Sequence, residues 1–452
     1  MFSERVGIMK DVIITGGGLA GMSAAWELRD KNILLLESEQ RFGGRVASER
    51  RGKYWLNWGG HVYSGANSAT DRLLRSVGVE ASSVPGAVTG LAMNGKVLLD
   101  GRVETYPFRM PMSWKSRLAI LKAGAKVRLA VMKYGKVVSP RPGEDFRQHQ
   151  ERIYNYKNDR TFTDYVGQLP EDADAIFRPT VSRSAGDPEE VSAGAGIGYF
   201  HLVWDKGEGL SRNIHGGPST LINTIAESLG DKVQSGATVE SVIQQPNSVL
   251  VTYRQNGKLF KEEARYAILA TPAPVTKKVA ANIDPEIAEA LGKIKYGPYV
   301  SAAFLTDENQ PEIWDDAYAI ATPKRSFNVF FNMSNLVRSW EEQRGKGSSI
   351  MTFSPATLAR KLIDKSDDEI IETYLRDIEE IFPGFRQKVV EAQVRKFPLG
   401  LAYCFPGRAK LQKALTKPAG RLFLAGDYLG TLYTETAIKT GYEAAREILR
   451  KL

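Results

Sequence analysis

The chain has 452 residues, 42% hydrophobic and 25% charged, a composition that argues against wholesale disorder and leaves room for two cores. Its net charge of +9 raises nucleic acid as a partner, but no nucleic-acid motif is present and most of the excess sits in one acid-free stretch, Thr105 to Gly143, so none is expected. Cys404 is the single cysteine and excludes an intrachain disulfide; the histidines form neither a metal site nor a triad, and no apolar run has the length of a membrane span.

Residues 1–8 carry no signal-peptide core and read as an extension before the first strand, so a cytoplasmic protein is expected. Asp11-Val-Ile-Ile-Thr15 is a β-branched run suited to a buried parallel strand, and Gly16-Gly17-Gly18-Leu19-Ala20-Gly21 follows without a break. This is GxGxxG where a strand turns into a helix. Gly16 permits the tight turn, Gly18 lets backbone N–H groups approach a pyrophosphate, and Gly21 lets the helix pack on the strand. Dinucleotide contacts are expected from Gly16, Gly18, Leu19, Ala20 and Gly21. Met22 to Leu28 supply helix formers. A second apolar strand, Ile33 to Leu36, ends in Glu37, whose carboxylate can accept hydrogen bonds from an adenosine ribose, with Ser38 beside it.

Arg41-Phe-Gly43-Gly44-Arg45-Val-Ala-Ser48-Glu-Arg50 resembles the second fingerprint of FAD-binding flavoproteins: the flavin-containing amine oxidases and their relatives, protoporphyrinogen oxidase and the carotenoid desaturases. The resemblance implies FAD, with the turn at Gly44 along its diphosphate and Arg45 helping to neutralise it. It also places Trp58-Gly59-Gly60-His61 past the isoalloxazine, with Asn57 where an aspartate is usual. His61 and Tyr63 either border the ring or are ordinary side chains beneath it.

Residues from about 86 to 205 have a different character. Met93 to Pro107 predicts a hairpin around Asn94-Gly95, and Ser113 to Lys136 a helix. At about 100° per residue, Lys115, Lys122, Lys126 and Lys133 share a stripe about 40° wide, read first as a solvated face and alternatively as a peripheral contact of 113–136 with anionic lipid headgroups. Arg117 and Arg128 lie on the other side. They are expected to pair with internal carboxylates, the alternative being a cationic end for an acidic substrate. Thr163 to Pro179 reads as further helix, and Ser192 to Lys206, rich in glycine and aromatics, as pocket lining or core.

Gly216 to Ile225 restarts a helix, and the strands from Thr238 to Thr271 follow. Their order resembles the family's return to the cofactor domain, with the Val239 backbone at the adenine. Asp367 to Phe382 predicts an amphipathic helix. Where amine oxidases often carry a lysine that holds a water against the flavin, Val300 or Ser301 falls; Lys293 and Lys295 lie too early.

Towards the end, Ala425-Gly426-Asp427 closes a strand and Tyr433-Thr-Glu435-Thr-Ala437 opens a helix whose N-terminus can face an electron-rich ring oxygen. The resemblance implies cofactor contacts from Gly426, Asp427, Thr434, Glu435 and Ala437. It aligns Tyr433 with one wall of an aromatic cage and Tyr403, less directly, with the other. Cys404 sits too close to Phe405 to match the covalent cysteine of monoamine oxidases, so noncovalent FAD is expected with Cys404 as packing.

The expected fold is α/β: a Rossmann-like FAD-binding domain (1–85, 206–284, 391–452) interleaved with an α+β substrate-binding domain (86–205, 285–390). The expected function is an FAD-dependent oxidoreductase taking a hydride from a small, largely apolar substrate. The missing lysine favours CH–CH dehydrogenation over CH–NH oxidation. A redox-neutral mutase-like enzyme and a noncatalytic FAD-binding protein are the further alternatives. O2 or another acceptor completes the cycle, no metal is expected, and no oligomeric state follows.

Overall fold

The computed structural model describes residues 9–84, 90–101, 103–204, 210–339, 341 and 344–452; the extension at 1–8, Lys206 and the expected boundaries at 85/86 and 205/206 lie outside the described residues. The architecture is mixed α/β, built on two seven-stranded sheets. In the first, Lys10–Thr15 lies between Ile33–Leu36 and the end of Lys258–Leu269, parallel to both. Val233–Gln234 and Leu422–Leu424 extend the parallel array on either side. The antiparallel meander Ala237–Gln244, Val249–Gln255 and Lys258–Leu269 completes it.

Alternation along Lys10–Thr15 divides this sheet into two cores, as the two-residue period of a strand requires. Val12 and Ile14 pack under helices Leu19–Glu27, Ala69–Val77, Ser219–Leu229 and Thr434–Leu449; Ile13 faces Ala273–Val279 and Pro285–Lys293. Ile287, Ala290 and Leu291 therefore belong to the first sheet, although 285–390 was expected in the second domain.

The second sheet runs Val389–Ala402, Tyr296–Thr306, Ser349–Pro355, Val329–Asn332, Ala319–Ala321, Gly90–Met93, Lys96–Leu98. The expected boundary at 390/391 cuts through its edge strand, since Val389–Ala402 pairs along most of Tyr296–Thr306. One face is covered by helix Asp367–Ile381, capped reciprocally by Ser366 and Glu369. The other face carries Tyr318, Phe331, Met351 and Phe353. The predicted hairpin turn is present at Asn94-Gly95, both with positive φ, but its strands end at Leu98.

A helical cluster fills out the second half: Trp114–Val138, Phe146–Asn155, Phe162–Val166, Glu171–Ser182 and Ala193–Trp204. In the last of these, a methyl at Gly194, Gly196 or Gly198 would meet the Tyr156 carbonyl oxygen at 1.8 Å, the Phe162 ring at 2.4 Å or the Tyr134 hydroxyl at 2.7 Å. Those glycines are the condition for packing this helix into the cluster. Among the described residues no helix is long and apolar enough to cross a membrane.

Candidate functional site

The first glycine loop and the Gly43-Gly44 turn meet face to face. Gly43 N–H donates to the Gly17 carbonyl (2.8 Å), and a methyl at Gly44 would lie 3.6 Å from the Gly18 Cα. Gly16 has φ +95°, and a Cβ at Gly21 would stand 1.9 Å from the Gly16 oxygen, so neither position admits a side chain. A Cβ at Gly18 would reach nothing nearer than Gly43 O at 4.0 Å. No side chain caps helix Leu19–Glu27, and Met22 is the first residue bonding back, to Gly18 O (2.9 Å). The N–H groups of Leu19, Ala20 and Gly21 are thus left at a helix N-terminus beside open space, a setting suited to a diphosphate.

Glu37 is buried at the end of its strand. One carboxylate oxygen accepts from Gly17 N–H (2.6 Å), the other from Ser38 Oγ (3.1 Å) and Glu39 N–H (2.8 Å). Ala237 N–H donates to the Glu37 carbonyl (2.7 Å), which brings Val239, beside a bulge, near the same strand end.

Arg45 joins the glycine turn to the far end of the chain. Its guanidinium makes two hydrogen bonds to Asp427, at 2.7 and 2.9 Å, and one to Gly400 O at 3.3 Å. Burial acts against the charge, but the Asp427 carboxylate more than offsets it and holds the Arg45 pKa above its ordinary value. Gly60 N–H donates to Arg45 O (3.0 Å), and a Cβ at Gly59 would lie 2.0 Å from that oxygen. A Cβ at Gly60 would lie 3.5 Å from the Thr434 methyl, and Thr434 Oγ1 donates to Val62 O (3.2 Å).

The last helix locks against the first. A Cβ at Gly441 would collide with Ala20 O at 2.2 Å, and Ser23 Oγ donates to Ile438 O at 3.2 Å. Gly426 N–H is bonded to Thr440 Oγ1 (3.0 Å). Ala437 is buried, with its N–H on the Tyr433 carbonyl (2.9 Å). The Glu435 carboxylate accepts from Ala69 N–H, Thr70 N–H and Thr70 Oγ1. The side chain is committed to the N-terminus of helix Ala69–Val77, leaving only the backbone to face a ligand.

An aromatic cluster joins His61 to one face of the second sheet. His61 meets Phe331 edge-on at 4.8 Å and Tyr318 at 6.4 Å; Phe331 stacks on Phe353 at 5.9 Å, and Phe353 contacts Tyr299 at 5.5 Å. Burial, opposed by the Gly59 hydrogen bond and reinforced by Arg183, pushes the His61 pKa down to about 4. The ring is therefore neutral. Its Nδ1 faces the Gly59 oxygen (3.1 Å) and carries the hydrogen, so buried Nε2 keeps a lone pair without a protein partner.

Tyr433 stands at the start of the last helix with φ +45°, an unusual conformation for a tyrosine and one found at functional sites. The ring it meets is Tyr199, at 5.6 Å, and not Tyr403. Tyr403 continues the strand pairing through its N–H to Lys295 O (3.1 Å), which sends its ring into the helical cluster against Phe405 and Gly186. Nothing in the local spacing signals Tyr199, which lies more than two hundred residues before its partner. Burial holds both phenols well above their usual pKa.

Ser301 is buried with its hydroxyl unpartnered, on the side of its strand where Ala303 packs against Trp58. Lys293 pairs with Glu289 at the surface and Lys295 stacks on Phe405, so neither replaces the missing lysine. Opposite Ser301, Arg395 lies over Trp58 at 4.7 Å. Asn57 donates to Gly59 O (3.2 Å) while its Oδ1 stays unpartnered. Cys404 accepts hydrogen bonds from Ser192 (3.3 Å) and Asn158 (3.4 Å), and burial raises its pKa. Among the described residues no group of side chains has a metal-ligating arrangement.

Arg117 and Arg128 make no ion pair with any described carboxylate, contrary to the expected internal pairing. Arg117 donates to Met110 O and lies over Trp114, and exposed Arg128 lies over Trp204. Among the phenols of this cluster stands Arg183, which makes no ion pair with any described carboxylate and which sequence reasoning missed.

The family model of flavin-containing amine oxidoreductases matches residues 19–449. A probable flavin-containing monoamine oxidase A of Dictyostelium discoideum is 23% identical over 480 residues, covering 98% of each chain. The 15-cis-phytoene desaturase of Narcissus pseudonarcissus is 22% identical over 477 residues, covering 97% of this chain and 79% of its own. A putrescine oxidase structure with bound putrescine superposes with a TM-score of 0.77 at 16% identity, covering 98% of this chain and 99% of that one. Cyclohexylamine oxidase from Brevibacterium oxydans gives 0.75 at 16%, with the same coverage.

Proposed function

Because the chain belongs to the flavin-containing amine oxidoreductases and is an FAD-dependent oxidoreductase, we propose that it dehydrogenates a CH–CH bond of a small, largely apolar substrate. The helix terminus at Gly18, Leu19 and Ala20, where an added Cβ at Gly18 would meet nothing nearer than 4.0 Å, the glycine turns and the Arg45–Asp427 pair fit a dinucleotide. In this reading Glu37 and Ser38 take the ribose and Val239 the adenine. Gly44, Arg45, Gly426 and Asp427 take the diphosphate and ribityl chain. Gly59, Gly60, Thr434, Glu435 and Ala437 offer backbone to the ring, and the body around the second sheet roofs it. FAD is held noncovalently, the Cys404 sulfur being engaged by Ser192 and Asn158.

FAD supplies the two-electron acceptor when bound. The chain's share is to hold an apolar carbon against the flavin ring in a chamber that excludes water. Tyr199 and Tyr433 form one wall, and His61, Phe331 and Phe353 another. The lone pair on His61 Nε2 is available to the proton that leaves the neighbouring carbon. The single observation that carries the choice of bond is Ser301: the strand facing this bed brings no lysine.

The Tyr199–Tyr433 pair favours a second reading, CH–NH oxidation. Anaerobic mixing of the yellow holoenzyme with a panel of amines and of cyclic ketones decides between them. The first reading expects bleaching by a ketone and by no amine; bleaching by amines alone overturns it. Recovery of colour on admitting air identifies O2 as acceptor.

The outer face of helix Trp114–Val138 supports a peripheral membrane contact. Trp114, Leu118, Leu121, Leu129 and Met132 are all exposed and fall within about 80° of one another on the helix, with the four lysines on one flank and Arg117 and Arg128 on the other. Ile120, Val127 and Tyr134 occupy the opposite, buried face. An exposed apolar ridge between two basic rows is what an anionic bilayer surface complements.

A further inference from the structure

Among the described residues the Arg183 guanidinium has no counter-charge. It follows helix Glu171–Ser182, and its backbone is held from two sides: Tyr299 donates its hydroxyl hydrogen to Arg183 O, and a Cβ at Gly297 would collide with Ala185 O at 1.7 Å. The side chain makes no hydrogen bond or ion pair with any described group, and its Nε is fully buried. Its electrostatic neighbours are Tyr199, Tyr299 and Tyr318, all neutral phenols, and neutral His61. Burial lowers its pKa with no carboxylate to offset it.

Apart from Arg395, which rests on the Trp58 ring with its Nε likewise unpartnered, the other partly buried arginines among the described residues have a polar partner, in several cases a carboxylate. Arg45 holds Asp427, Arg212 holds Asp71, Arg178 spans Asp174 and Glu189, and Arg338 and Arg344 share Asp315. An isolated guanidinium taken from water costs several kcal/mol, so its retention among phenols implies that the missing partner arrives with a ligand. A carboxylate matches best, because its two oxygens accept the planar fork of donors in parallel.

We propose that Arg183 binds a carboxylate of the substrate, so that the enzyme acts on acids carrying an apolar body rather than on simple alkylammonium compounds. The inference rests on the chamber being the substrate site, as read above, but not on which bond is oxidised. Tyr199, Tyr299 and Tyr318 then ring the anion, and the aromatic walls take the apolar part.

The test uses the FAD-loaded enzyme and three probes of one shape and different charge: benzoate, benzamide and benzylamine, titrated while the flavin absorption is followed. Benzoate is expected to perturb the spectrum at concentrations about tenfold or more below those of the other two. Arg183→Met removes that preference and Arg183→Lys keeps part of it, with flavin content and melting temperature measured on each variant. Benzamide or benzylamine binding as tightly as benzoate overturns the carboxylate assignment while leaving the chamber as the ligand site. So does a folded Arg183→Met enzyme that still prefers benzoate. Failure of all three probes to change the spectrum overturns the assignment together with the chamber reading. The wild-type comparison stands even where a variant does not fold.

Discussion

Arg45 and Asp427, 382 residues apart, form a two-pronged ion pair with N···O distances of 2.7 and 2.9 Å. The two side chains are unequally covered, with 33% of Arg45 but only 6% of Asp427 exposed. Truncating either leaves the other unpaired, and the more deeply buried survivor suffers more. Arg45→Ala is therefore expected to destabilise the protein by about 3 kcal/mol and Asp427→Ala by less. Denaturant midpoints check the order, and the reverse order means that the pair does not hold the fold this way. Both variants should also lose flavin during purification.

The glycine loop separates a folding requirement from a binding one. Gly21→Ala puts a methyl 1.9 Å from a backbone oxygen that cannot move without breaking the strand-to-helix turn, so a loss of about 3 kcal/mol or failure to fold is expected. Gly18 has φ −75° and no protein atom within 4 Å of the added methyl except Gly43 O at that limit. Gly18→Ala should leave the apoprotein's melting temperature unchanged within a degree or two and weaken FAD by about tenfold or more, measured by fluorescence titration. Equal effects at both positions would remove the argument for an open cradle at Gly18.

These contrasts mark what is legible in a sequence. Glycine turns, the Asn94-Gly95 reversal and the Ser366 cap are local: a few adjacent residues contain the whole geometric reason, so the pattern and the structure agree. Helical periodicity assigns faces but not depth. It separated the lysines of Trp114–Val138 from the arginines, but it does not tell that Leu118, Leu129 and Met132 lie exposed between the two rows. Tyr199 and Arg183 acquire their meaning from elements distant in the chain, and Arg183 from carboxylates that are not there. No local pattern records an absent partner.

One buried and one half-buried group tilt the pH dependence of stability in opposite senses. His61 has its pKa lowered from 6.5 to about 4, so between those values the unfolded chain binds more protons. Its contribution is complete above about 6.5 and is lost as pH falls towards 4, by at most about 3 kcal/mol. Glu443, where burial outweighs nearby Lys439 and Arg147, has its pKa raised from 4.5 to about 7. Its contribution is lost as pH rises from 4.5 through 7 and, being partly exposed, amounts to about 1 kcal/mol. Melting curves should show His61→Gln losing less stability than wild type on acidification, and Glu443→Gln gaining at pH 8 but not at pH 4. Parallel curves for all three proteins would show that neither group titrates as described.

The exposed ridge of helix Trp114–Val138 allows a surface test free of folding effects. Leu118 and Met132 are more than 60% exposed, so Leu118→Asp with Met132→Asp costs the fold little, whereas at a bilayer both charges would have to enter the headgroup boundary. Wild type is expected to sediment with phosphatidylserine-containing vesicles and much less with pure phosphatidylcholine, because the lysine row, Lys115, Lys122, Lys126 and Lys133, adds about 1 kcal/mol per charge only near an anionic surface. Raising salt should weaken binding without abolishing it, the apolar ridge being indifferent to screening. The double variant should bind at least about tenfold more weakly at an unchanged melting temperature. Equal sedimentation of wild type and variant would assign the lysines to solvent and the ridge to no membrane at all.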